Sequence, residues 1–530
     1  MQTVSENWKN AHRQTLLNES YVEVSLDITD RDARANASYE DNGAAYISDT
    51  SKVVSEFDKN IVPYCTLEQN LWVLDGGRKA IPESAYGETG YVGNALSDDK
   101  CVFTNKIPTL TINFTEVFRN PIPGVTITWS PVYGEFADNF MVTAYSGDTI
   151  VAQKEVIGNR SVKSLVWVDI PEYNRIVIQV KKWCLPYHRA RVEEVLVGVK
   201  KVYSKTELFD YSHTQSVDPI STSLPKMEIK FSVDNVGNEY NPYNEQGLAK
   251  YLMERQEVKS RYGLKLNDGS IEWIKGGTFY LSEWNAKQNG LTAEFTARDL
   301  LEFMSDIYED TSTSSTDSLY TLAEKVLRAA NLPLNSDHTV KWVIDESLKN
   351  IYTGALLPRD TLANCLQMIA NASLCVLYQD RNGTLHIEPL KEDITDYKID
   401  LFNSYSKSEI TMAKPIKQVI VKVYTYLNLG EEVKITTSNE VVDVGTIGET
   451  ITIDNPIVTS HGRARNVAQW MFSHLRHRVT LDSSWRADVR LDALDIVTNE
   501  NNYNTNKVRM TDVEFKFNGA FRGTGEGKVI

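Results

Sequence analysis

Residues 209–304 constrain the fold of this chain more than any other stretch of the sequence. Apolar residues alternate there with polar ones, which predicts a β-strand with one buried face. These apolar residues are Met227, Ile229, Phe231 and Val233. Two further alternating runs, 279–284 and 291–297, flank Asn289-Gly290, and an Asn-Gly pair between two strand patterns predicts a hairpin. The sequence therefore predicts an antiparallel sheet, followed by a short helix beginning near Arg298.

A second informative segment spans residues 358–390. Leu362, Leu366 and Ile369 share the spacing of one helical face, so a helix is predicted after Pro358. Two strand patterns follow this helix, and a turn at Arg381-Asn382-Gly383 separates them. The segment predicts an α+β unit beyond the first sheet.

These two segments, in this order, resemble the first and second domains of baseplate or tail-tip hub proteins of tailed bacteriophages. In the first segment the resemblance includes Ser216-Val217-Asp218-Pro219 and the Gly-Gly-Thr-Phe-Tyr-Leu run at 276–281. In the second it covers the whole run PRDTLANCLQMIANASLCVLYQDRNGTLHIEPL. One departure lies at Asp492-Ala493-Leu494-Asp495, where relatives often have Gly or Pro.

The resemblance implies a mainly β chain with α+β parts. It implies a multidomain hub with two tube-like β-barrel domains and a helix-containing α+β domain. Three subunits would form a ring that continues the tail tube, and two similar barrels per subunit would match a six-fold tube. Its partners would be the tail tube and distal tail proteins, including tip, fibre or tape-measure proteins.

Residues 66–200 have a different pattern, with short strand signals separated by Gly, Pro, Asn and Asp turns. Such a pattern is typical of an antiparallel β-sandwich. The segments NLWVLDG, PGVTITWSPVYGEFADNFMVTAY and RARVEEVLVGV resemble the galactose-binding-like jelly rolls of discoidin-type and carbohydrate-binding modules. Because hub-like sequence resumes near Lys201, the sandwich is interpreted as an insertion.

The sequence thus predicts five regions along the chain. They are hub domain I, first part (1–65), an inserted galactose-binding-like β-sandwich (66–200), hub domain I, second part (201–305), an α+β hub domain II (306–395), and β-rich hub domains III and IV (396–530) with a helix at 462–477.

The best candidate for a ligand site is the loop KKWCLPYHRAR within the sandwich. Trp183, Tyr187, His188 and Arg189 combine flat apolar rings with hydrogen-bond donors, which suits the C–H faces and hydroxyls of a sugar ring. An alternative is that Trp183 and Tyr187 pack against the hub or a neighbouring subunit, where aromatic residues are also enriched. The sequence leaves both interpretations open.

Composition and motifs predict no enzyme, no cofactor and no metal site. The formal net charge of −15 argues against a nucleic-acid-binding surface, which needs clustered Lys and Arg. The five cysteines form no CxxC pair, and they are expected to be thiols of a protein folded in a reducing cytoplasm. The C-terminal GTGEGKV has neither the first Gly nor the Ser or Thr of a phosphate loop. His461, His474 and His477 are expected to belong to a basic helix face rather than to a metal site.

The leading hypothesis is a structural subunit of a phage tail tip or baseplate hub, a homotrimer located in the virion and made in the host cytoplasm. The inserted sandwich would brace the assembly or bind host cell-surface glycan. A receptor-recognition protein is the second hypothesis, and a wall-degrading tail enzyme is the third. No secretory signal or bilayer-spanning run is present, so no membrane insertion is expected.

Overall fold

The computed structural model describes the whole chain except residues 15–17, 31–32, 34–35, 51–52, 54–62, 79–89, 288–289, 310–316, 334–338, 429–432 and 502. Asn289 of the predicted hairpin therefore lies outside the described residues.

Strands dominate the chain, and the helices are short. The helices are α1 (Glu6–His12), α2 (Leu319–Ala329), α3 (Leu362–Ser373) and α4 (His461–Leu475). The first twelve strands are β1 (Ser20–Thr29), β2 (Ala37–Asp41), β3 (Tyr91–Leu96), β4 (Thr109–Phe118), β5 (Ile122–Thr128), β6 (Ala137–Ser146), β7 (Thr149–Ile157), β8 (Lys163–Ile170), β9 (Tyr173–Trp183), β10 (Arg189–Val192), β11 (Glu194–Leu196) and β12 (Gly198–Tyr203).

The remaining strands follow the sandwich. Those up to residue 388 are β13 (Leu208–Ser216), β14 (Lys226–Asp234), β15 (Glu257–Lys265), β16 (Ile271–Ala286), β17 (Thr292–Arg298), β18 (Trp342–Ile344), β19 (Val376–Gln379) and β20 (Leu385–Glu388). The last nine are β21 (Ile394–Ile399), β22 (Glu409–Met412), β23 (Ile416–Asn428), β24 (Val433–Asp443), β25 (Glu449–Ile453), β26 (Val479–Arg486), β27 (Ile496–Glu500), β28 (Thr505–Phe517) and β29 (Phe521–Val529).

One thirteen-stranded sheet forms the centre of the molecule, in the order β12-β1-β15-β16-β17-β14-β13-β28-β29-β26-β22, with β27 and β21 branching from β28. The strand pair β13–β28 joins the middle of the chain to its C-terminal part, from Tyr211 opposite Phe517 to Ser216 opposite Asp512. A single apolar core covers both halves of this sheet.

The predicted fold class is confirmed, because the chain is mainly β with α+β parts. None of the described sheets closes on itself, however. The two barrel-like domains take the form of two halves of one open sheet. The physical reason is that β13 pairs with β28, so the first half continues into the second instead of curling back to β12.

The alternation of β14 places its apolar side chains in the core as predicted. Phe231 on β14 stacks on Phe295 of β17, with ring centroids 5.2 Å apart and planes 12° from parallel. Strands β16 and β17 form the predicted antiparallel pair, with Trp284 opposite Phe295. The predicted short helix is a 3₁₀-helix, Leu300–Phe303, that begins after an Asp299 cap.

The glycines of GTGEGKV lie in β29, where they make room for large side chains of neighbouring strands. A Cβ on Gly523 would lie 2.9 Å from the buried ring of Trp485, and one on Gly527 would lie 2.5 Å from Val508. A Cβ on Gly525 would lie 2.4 Å from the carbonyl oxygen of Asp512. The glycine spacing therefore reflects close strand packing rather than phosphate binding.

Replacing Gly525 by alanine is expected to lower the free energy of unfolding by about 1–3 kcal/mol, because the added methyl group meets backbone that cannot move aside. The matched control is Gly462→Ala in α4, where a Cβ would meet no atom within 4 Å. That change should be neutral or stabilise by up to about 1 kcal/mol. Denaturant titration of both variants is the measurement, and equal effects would contradict this account of the motif.

The sandwich is inserted between two hydrogen-bonded strands of the central sheet. The chain leaves β1 at Thr29 and returns at Gly198 of β12, and these two residues are direct partners in the sheet. The sandwich sheets have the orders β2-β4-β9-β6-β7 and β11-β5-β8, with a further pair β10-β3. Their core includes Trp129, Phe140 and Tyr173.

Strand β2 lies within residues 1–65, which the sequence assigns to the first part of hub domain I. Instead, β2 pairs with β4, with Ala37 opposite Phe114, and so belongs to the sandwich. The pairing joins residues far apart in the chain, from Ala37 with Phe114 to Asp41 with Leu110, and no local pattern encodes it.

The α+β part contains the sheet β18-β20-β19 with α2 and α3. The hydroxyls of Ser318 and Thr361 cap the two helices by accepting from the backbone N–H of Thr321 and Asn364. A second sheet, β24-β23-β25, packs with α4 into the same core. The described residues contain no helix long and apolar enough to cross a bilayer.

Candidate functional site

The four residues predicted from the sequence lie at the end of the sandwich that points away from the central sheet. Asp169, just before the start of β9, accepts a 2.7 Å hydrogen bond from Tyr251 of the central part. Strand β9 then runs eleven residues to Trp183, a distance of about 33 Å. We call the surface around residues 64–78, 94–102 and 184–189 the distal end of the sandwich.

Trp183 and His188 are buried at this distal end rather than exposed. The Trp183 ring packs edge-on against Trp129, with centroids 6.1 Å apart, and its indole N–H donates to Glu135 at 2.8 Å. His188 Nδ1 lies 2.9 Å from the other oxygen of Glu135. Neither a sugar ring nor a neighbouring subunit reaches Trp183 in this conformation.

The buried Glu135 belongs to a charge network that holds the loop 64–78 in place. Glu68 of that loop accepts from both guanidinium nitrogens of Arg191, and it also accepts from the backbone N–H of Arg189 at 2.7 Å. Arg191 in turn lies 3.6 Å from Glu135. Burial opposes the charge on Glu68, but the Arg191 guanidinium outweighs it and keeps the pKa of Glu68 below its usual value.

His188 is tuned by the same network. Burial disfavours a charged imidazole, but the hydrogen bond to Glu135 and the charges of Glu135 and Glu68 together raise the pKa of His188 above its usual value. The guanidinium of Arg189 donates to the carbonyl oxygens of Gly93 and Asn94, and its Nε lies 4.0 Å from Glu68. Two of the four predicted residues thus hold the distal end together from inside.

Tyr187 is the predicted residue that faces solvent, with 46% of its surface exposed. Its backbone has a φ of 59°, a left-handed conformation that aromatic residues rarely adopt. Sequence reasoning did not select Trp72 and Leu67, which are 55% and 90% exposed on the anchored loop. Trp72 belongs to the segment NLWVLDG, in which the alternation of residues resembles that of a strand. The structure forms no strand in this segment.

The other candidate site is a cavity of about 300 Å³ between the central sheet and the α+β part. On one wall, His386 lies 3.4 Å from Asp380 and stacks on Tyr378, which donates to Glu388. Burial opposes the charge on Asp380, yet the hydrogen bond to His386 lowers its pKa. On this wall Asp380 and Glu388 thus each lie beside a neighbouring side chain, His386 and Tyr378 respectively.

Asp299 on the opposite wall titrates unusually. Its carboxylate accepts from the backbone N–H of Met227 at 2.6 Å and of Leu301 at 3.0 Å. Complete burial nevertheless raises the pKa of Asp299 to about 7. The folded protein therefore favours the protonated, neutral form of Asp299 more than the unfolded chain does.

Because the folded pKa of Asp299 lies above its unfolded value, folding retains a proton that the unfolded chain releases. Stability is then highest at low pH for this group and falls as pH rises from about 4 to about 7. Asp299→Asn removes the titration and keeps one acceptor oxygen, so one of the two N–H groups loses its acceptor at every pH and this loss does not change the pH dependence. We expect the decline over this range to be smaller in the variant by about 2–4 kcal/mol, measured by denaturant titration across pH. Parallel pH profiles of variant and wild type would contradict this assignment.

The histidines of α4 do not come together. His461 and His474 are thirteen positions apart on the helix, which separates them by about 20 Å. His461 Nδ1 contacts Glu440 at 2.8 Å, whereas His474 packs on Trp470. Within the described ranges, no group of three or more potential ligands is placed to hold a metal ion. Burial also raises the pKa of the Cys365 and Cys375 thiols to about 11, which disfavours a nucleophilic thiolate.

Solved structures to which this chain is similar include proteins described as tail proteins. A 43 kDa tail protein of prophage MuSo2 from Shewanella oneidensis matches 62% of this chain and 95% of its own length, with 12% identity and a TM-score of 0.43. A tail protein from Neisseria meningitidis matches 62% of this chain and 93% of its own, with 12% identity and a TM-score of 0.44. Prophage tail protein gp18 from Listeria monocytogenes matches 62% and 91%, with 11% identity and a TM-score of 0.37. No protein-family model and no curated protein matches the chain.

Proposed function

We propose that this chain is a structural subunit of a phage tail-tip or baseplate hub. The observation that carries the proposal is the central sheet, whose thirteen strands do not close and which ends in a solvent-exposed apolar edge. An open edge of this kind is a liability in an isolated chain but a requirement in a subunit of an assembly. The two hub-like segments of the sequence form β14, β16 and β17 on one side and α3, β19 and β20 on the other, which supports the same conclusion.

In the proposed assembly three subunits form a ring around the tail axis, as part of the virion. The tail tube lies on one side of this ring and the distal tip, fibre or tape-measure proteins lie on the other. The sandwich, which we propose to be a separate inserted module, projects outward from the ring. Its insertion between the paired residues Thr29 and Gly198 leaves the register of the central sheet undisturbed. The subunit acts through its interfaces and not through catalysis.

The mass of the purified chain in solution tests this function. Light scattering across a concentration series should give about three times the chain mass of 60.0 kDa. Electron microscopy of the same sample should show rings with three-fold symmetry. A stable monomer at every concentration that also fails to bind isolated tail tubes would overturn the hub proposal.

A second candidate function is supported by the exposed aromatic residues of the distal end. We propose that Tyr187, with Trp72 on the neighbouring loop, offers flat rings on which a host glycan stacks. The charge network around Glu68 and Arg191 keeps the loop that carries Trp72 ordered, which lowers the entropy lost on binding.

Binding of host envelope polysaccharides to wild type, Tyr187→Ala and Trp72→Ala tests the glycan proposal. We expect each substitution to weaken binding about tenfold or more while the thermal unfolding temperature stays unchanged. The matched control is Tyr243→Ala, an exposed tyrosine on the central part of the molecule, which should bind like wild type. Equal binding by all four proteins would remove the sandwich from recognition.

A further inference from the structure

The far edge of the central sheet is open. Residues 401–412 run beside β26, from the backbone contact between Asn403 and Arg486 to the pairing of Met412 with Val479. We call residues 401–412 the edge segment. Among the described strands, none pairs with its other side. Contact along the eight residues of β26 corresponds to an edge of about 26 Å.

The core face of this edge is apolar and exposed. Five large side chains of the edge segment expose more than half of their surface, and these are Leu401, Phe402, Tyr405, Ile410 and Met412. Ile410 is the direct partner of Leu481, which is buried in the main core, and directly paired residues share one face of a sheet. Met412 lies two positions further along and so on the same face. The apolar face of the sheet therefore extends past the core that the described residues supply.

The opposite face of the last strands carries a row of carboxylates. Glu409 of the edge segment lies directly opposite Asp482 of β26. Asp482 lies opposite Glu526 of β29, and Glu526 lies opposite Asp512 of β28. We call these four residues the carboxylate row. Like charges at directly opposite positions destabilise a sheet, so the row lowers the stability of the isolated chain.

The carboxylate row is not neutralised within the described part of the chain. No described Lys, Arg or His forms an ion pair with any of the four, and the nearby Lys528 lies 3.8 Å from Asp218 instead. Burial, followed by the charges of Asp512 and Asp482, raises the pKa of Glu526 above its usual value. Lys528 offsets only part of this effect. A cation supplied by another molecule would relieve the repulsion.

The same row restricts which strand the open edge accepts. Two edge segments paired with each other would place Glu409 of each copy beside the acidic face of the other. Charged residues at an edge deter such self-pairing, as in other natural sheets. They attract a strand that presents cations on that face. On the other face, Ile410 and Met412 favour apolar side chains.

We propose that the edge segment binds an extended segment of another tail protein, in which Lys or Arg alternates with apolar residues. The bound segment extends the central sheet by one strand. Its backbone hydrogen-bonds to the open edge, and its apolar side chains cover Ile410 and Met412. That the partner is a tail protein rests on the proposed function, whereas the chemistry of the segment follows from the edge itself.

The geometry of a sheet brings the cations of the added strand to the carboxylate row. Neighbouring strands lie about 4.8 Å apart, so a residue opposite Glu409 is about 10 Å of sheet away from Asp482. A long Lys or Arg side chain at that position lies over Glu409 and directs its charge towards Asp482. One cation on the added strand thus acts on two members of the row.

Synthetic peptides test this interface on the full-length chain. The probe is a short fluorescent peptide in which lysine alternates with valine, and fluorescence anisotropy measures its binding. A matched peptide has the same composition, with its lysines in one block and its valines in another. We expect the alternating peptide to bind at least about tenfold more tightly, because only alternation places cations and apolar side chains on opposite faces.

Charge reversal locates the binding surface. We expect Glu409→Lys and Asp482→Lys each to weaken binding of the alternating peptide about tenfold. The matched control is Glu294→Lys, which changes the net charge equally at an exposed position of β17, a strand paired on both sides. A peptide in which glutamate alternates with valine should bind the double variant Glu409→Lys/Asp482→Lys more tightly than it binds wild type.

The apolar face and the backbone give two further readouts. Ile410→Glu should weaken binding about tenfold or more, whereas Ile435→Glu, a change at another half-exposed isoleucine, should not. Methylating the backbone nitrogens along one side of the alternating peptide removes the hydrogen-bond donors of that side. One of the two such peptides should lose binding, because only one side of a strand pairs with the edge. Circular dichroism should show all variants folded.

The outcomes separate this interface from the hub function. If the edge variants bind the alternating peptide like wild type, or if neither methylated peptide loses binding, the proposed interface is wrong. Self-association that Ile410→Glu abolishes, without peptide binding, would assign the edge to a second copy and would also overturn it. Trimers that bind no peptide would leave the hub in place and overturn the interface. Peptide binding by a chain that neither forms trimers nor binds tail tubes would support the edge chemistry and overturn the hub.

Discussion

Replacing Trp183 by alanine is expected to destabilise the sandwich by about 3–5 kcal/mol. The side chain is fully buried between Trp129 and the strands of the sandwich core, so its removal leaves a large cavity. The substitution also removes the indole N–H that donates to the buried Glu135. The carboxylate of Glu135 then has one hydrogen-bond donor fewer, which lowers the stability of the sandwich further.

Hydrogen exchange of the full-length chain, followed by mass spectrometry, is the appropriate measurement because several cores unfold separately in a chain of this size. Protection should fall in peptides from β6 and β9 and remain in β14 and β17. Trp72→Ala is the matched control, since that ring is half exposed and its removal should change stability by no more than about 0.5 kcal/mol. If Trp183→Ala kept full protection in β9 and lost only glycan binding, the ring would have to act at the surface.

The contrast between these two tryptophans shows where sequence reasoning reaches its limit. An aromatic residue beside donors in a loop has the composition of a sugar site, but the same composition fits a buried ring with a satisfied N–H. Trp183 is distinguished by Glu135, which lies 48 positions away and is brought close only by the pairing of β6 with β9. No local pattern contains that information.

Local patterns did predict the elements themselves. The period of two in β14 and the Leu362, Leu366 and Ile369 face of α3 follow directly from which side chains must be buried. The joining of the two halves of the central sheet was not predictable in this way. Strands β13 and β28 are about 300 residues apart, and each has the same alternation whether it pairs with the other or closes a separate barrel.

The turn at residues 492–495, where the sequence departs from the hub family, has a structural explanation. Leu494 has a φ of 74°, the left-handed conformation that glycine adopts without strain. Neighbouring contacts hold the turn in this shape, because the backbone N–H of Ala493 donates to Gln215 and Asp492 binds Arg381. A strained residue is tolerated where its surroundings fix the backbone.

Replacing Arg381 by alanine is expected to cost about 3–5 kcal/mol and to loosen the α+β part from the central sheet. Arg381 is a buried cation on the turn after β19, and its guanidinium bonds to Asp492 at 2.6 Å and to the carbonyl oxygens of Lys275 and Leu491. Burial opposes the charge on Asp492, but Arg381 outweighs it and lowers the pKa of Asp492. Without the arginine, the partly buried Asp492 keeps the hydrogen bond from Gln2 but loses its closest charged partner, and two carbonyl oxygens lose a donor, which is the costly way to break an ion pair of this kind.

The control for Arg381→Ala is Arg359→Ala, which removes an exposed ion pair with Glu309 at 3.1 Å and should change stability by no more than about 0.5 kcal/mol. A third variant, Arg381→Ala with Asp492→Asn, removes the stranded charge and should recover part of the loss. Hydrogen exchange should show lower protection in β19 and β20 and in the turn at 492–495, with β9 unchanged. The α+β part is bonded to the central sheet through Arg381, Gln379 and Lys341. A uniform loss of protection over the whole chain would mean that the α+β part and the central sheet unfold as one unit. A loss confined to the junction would instead identify Arg381 as the residue that fixes the α+β part to the ring-forming sheet.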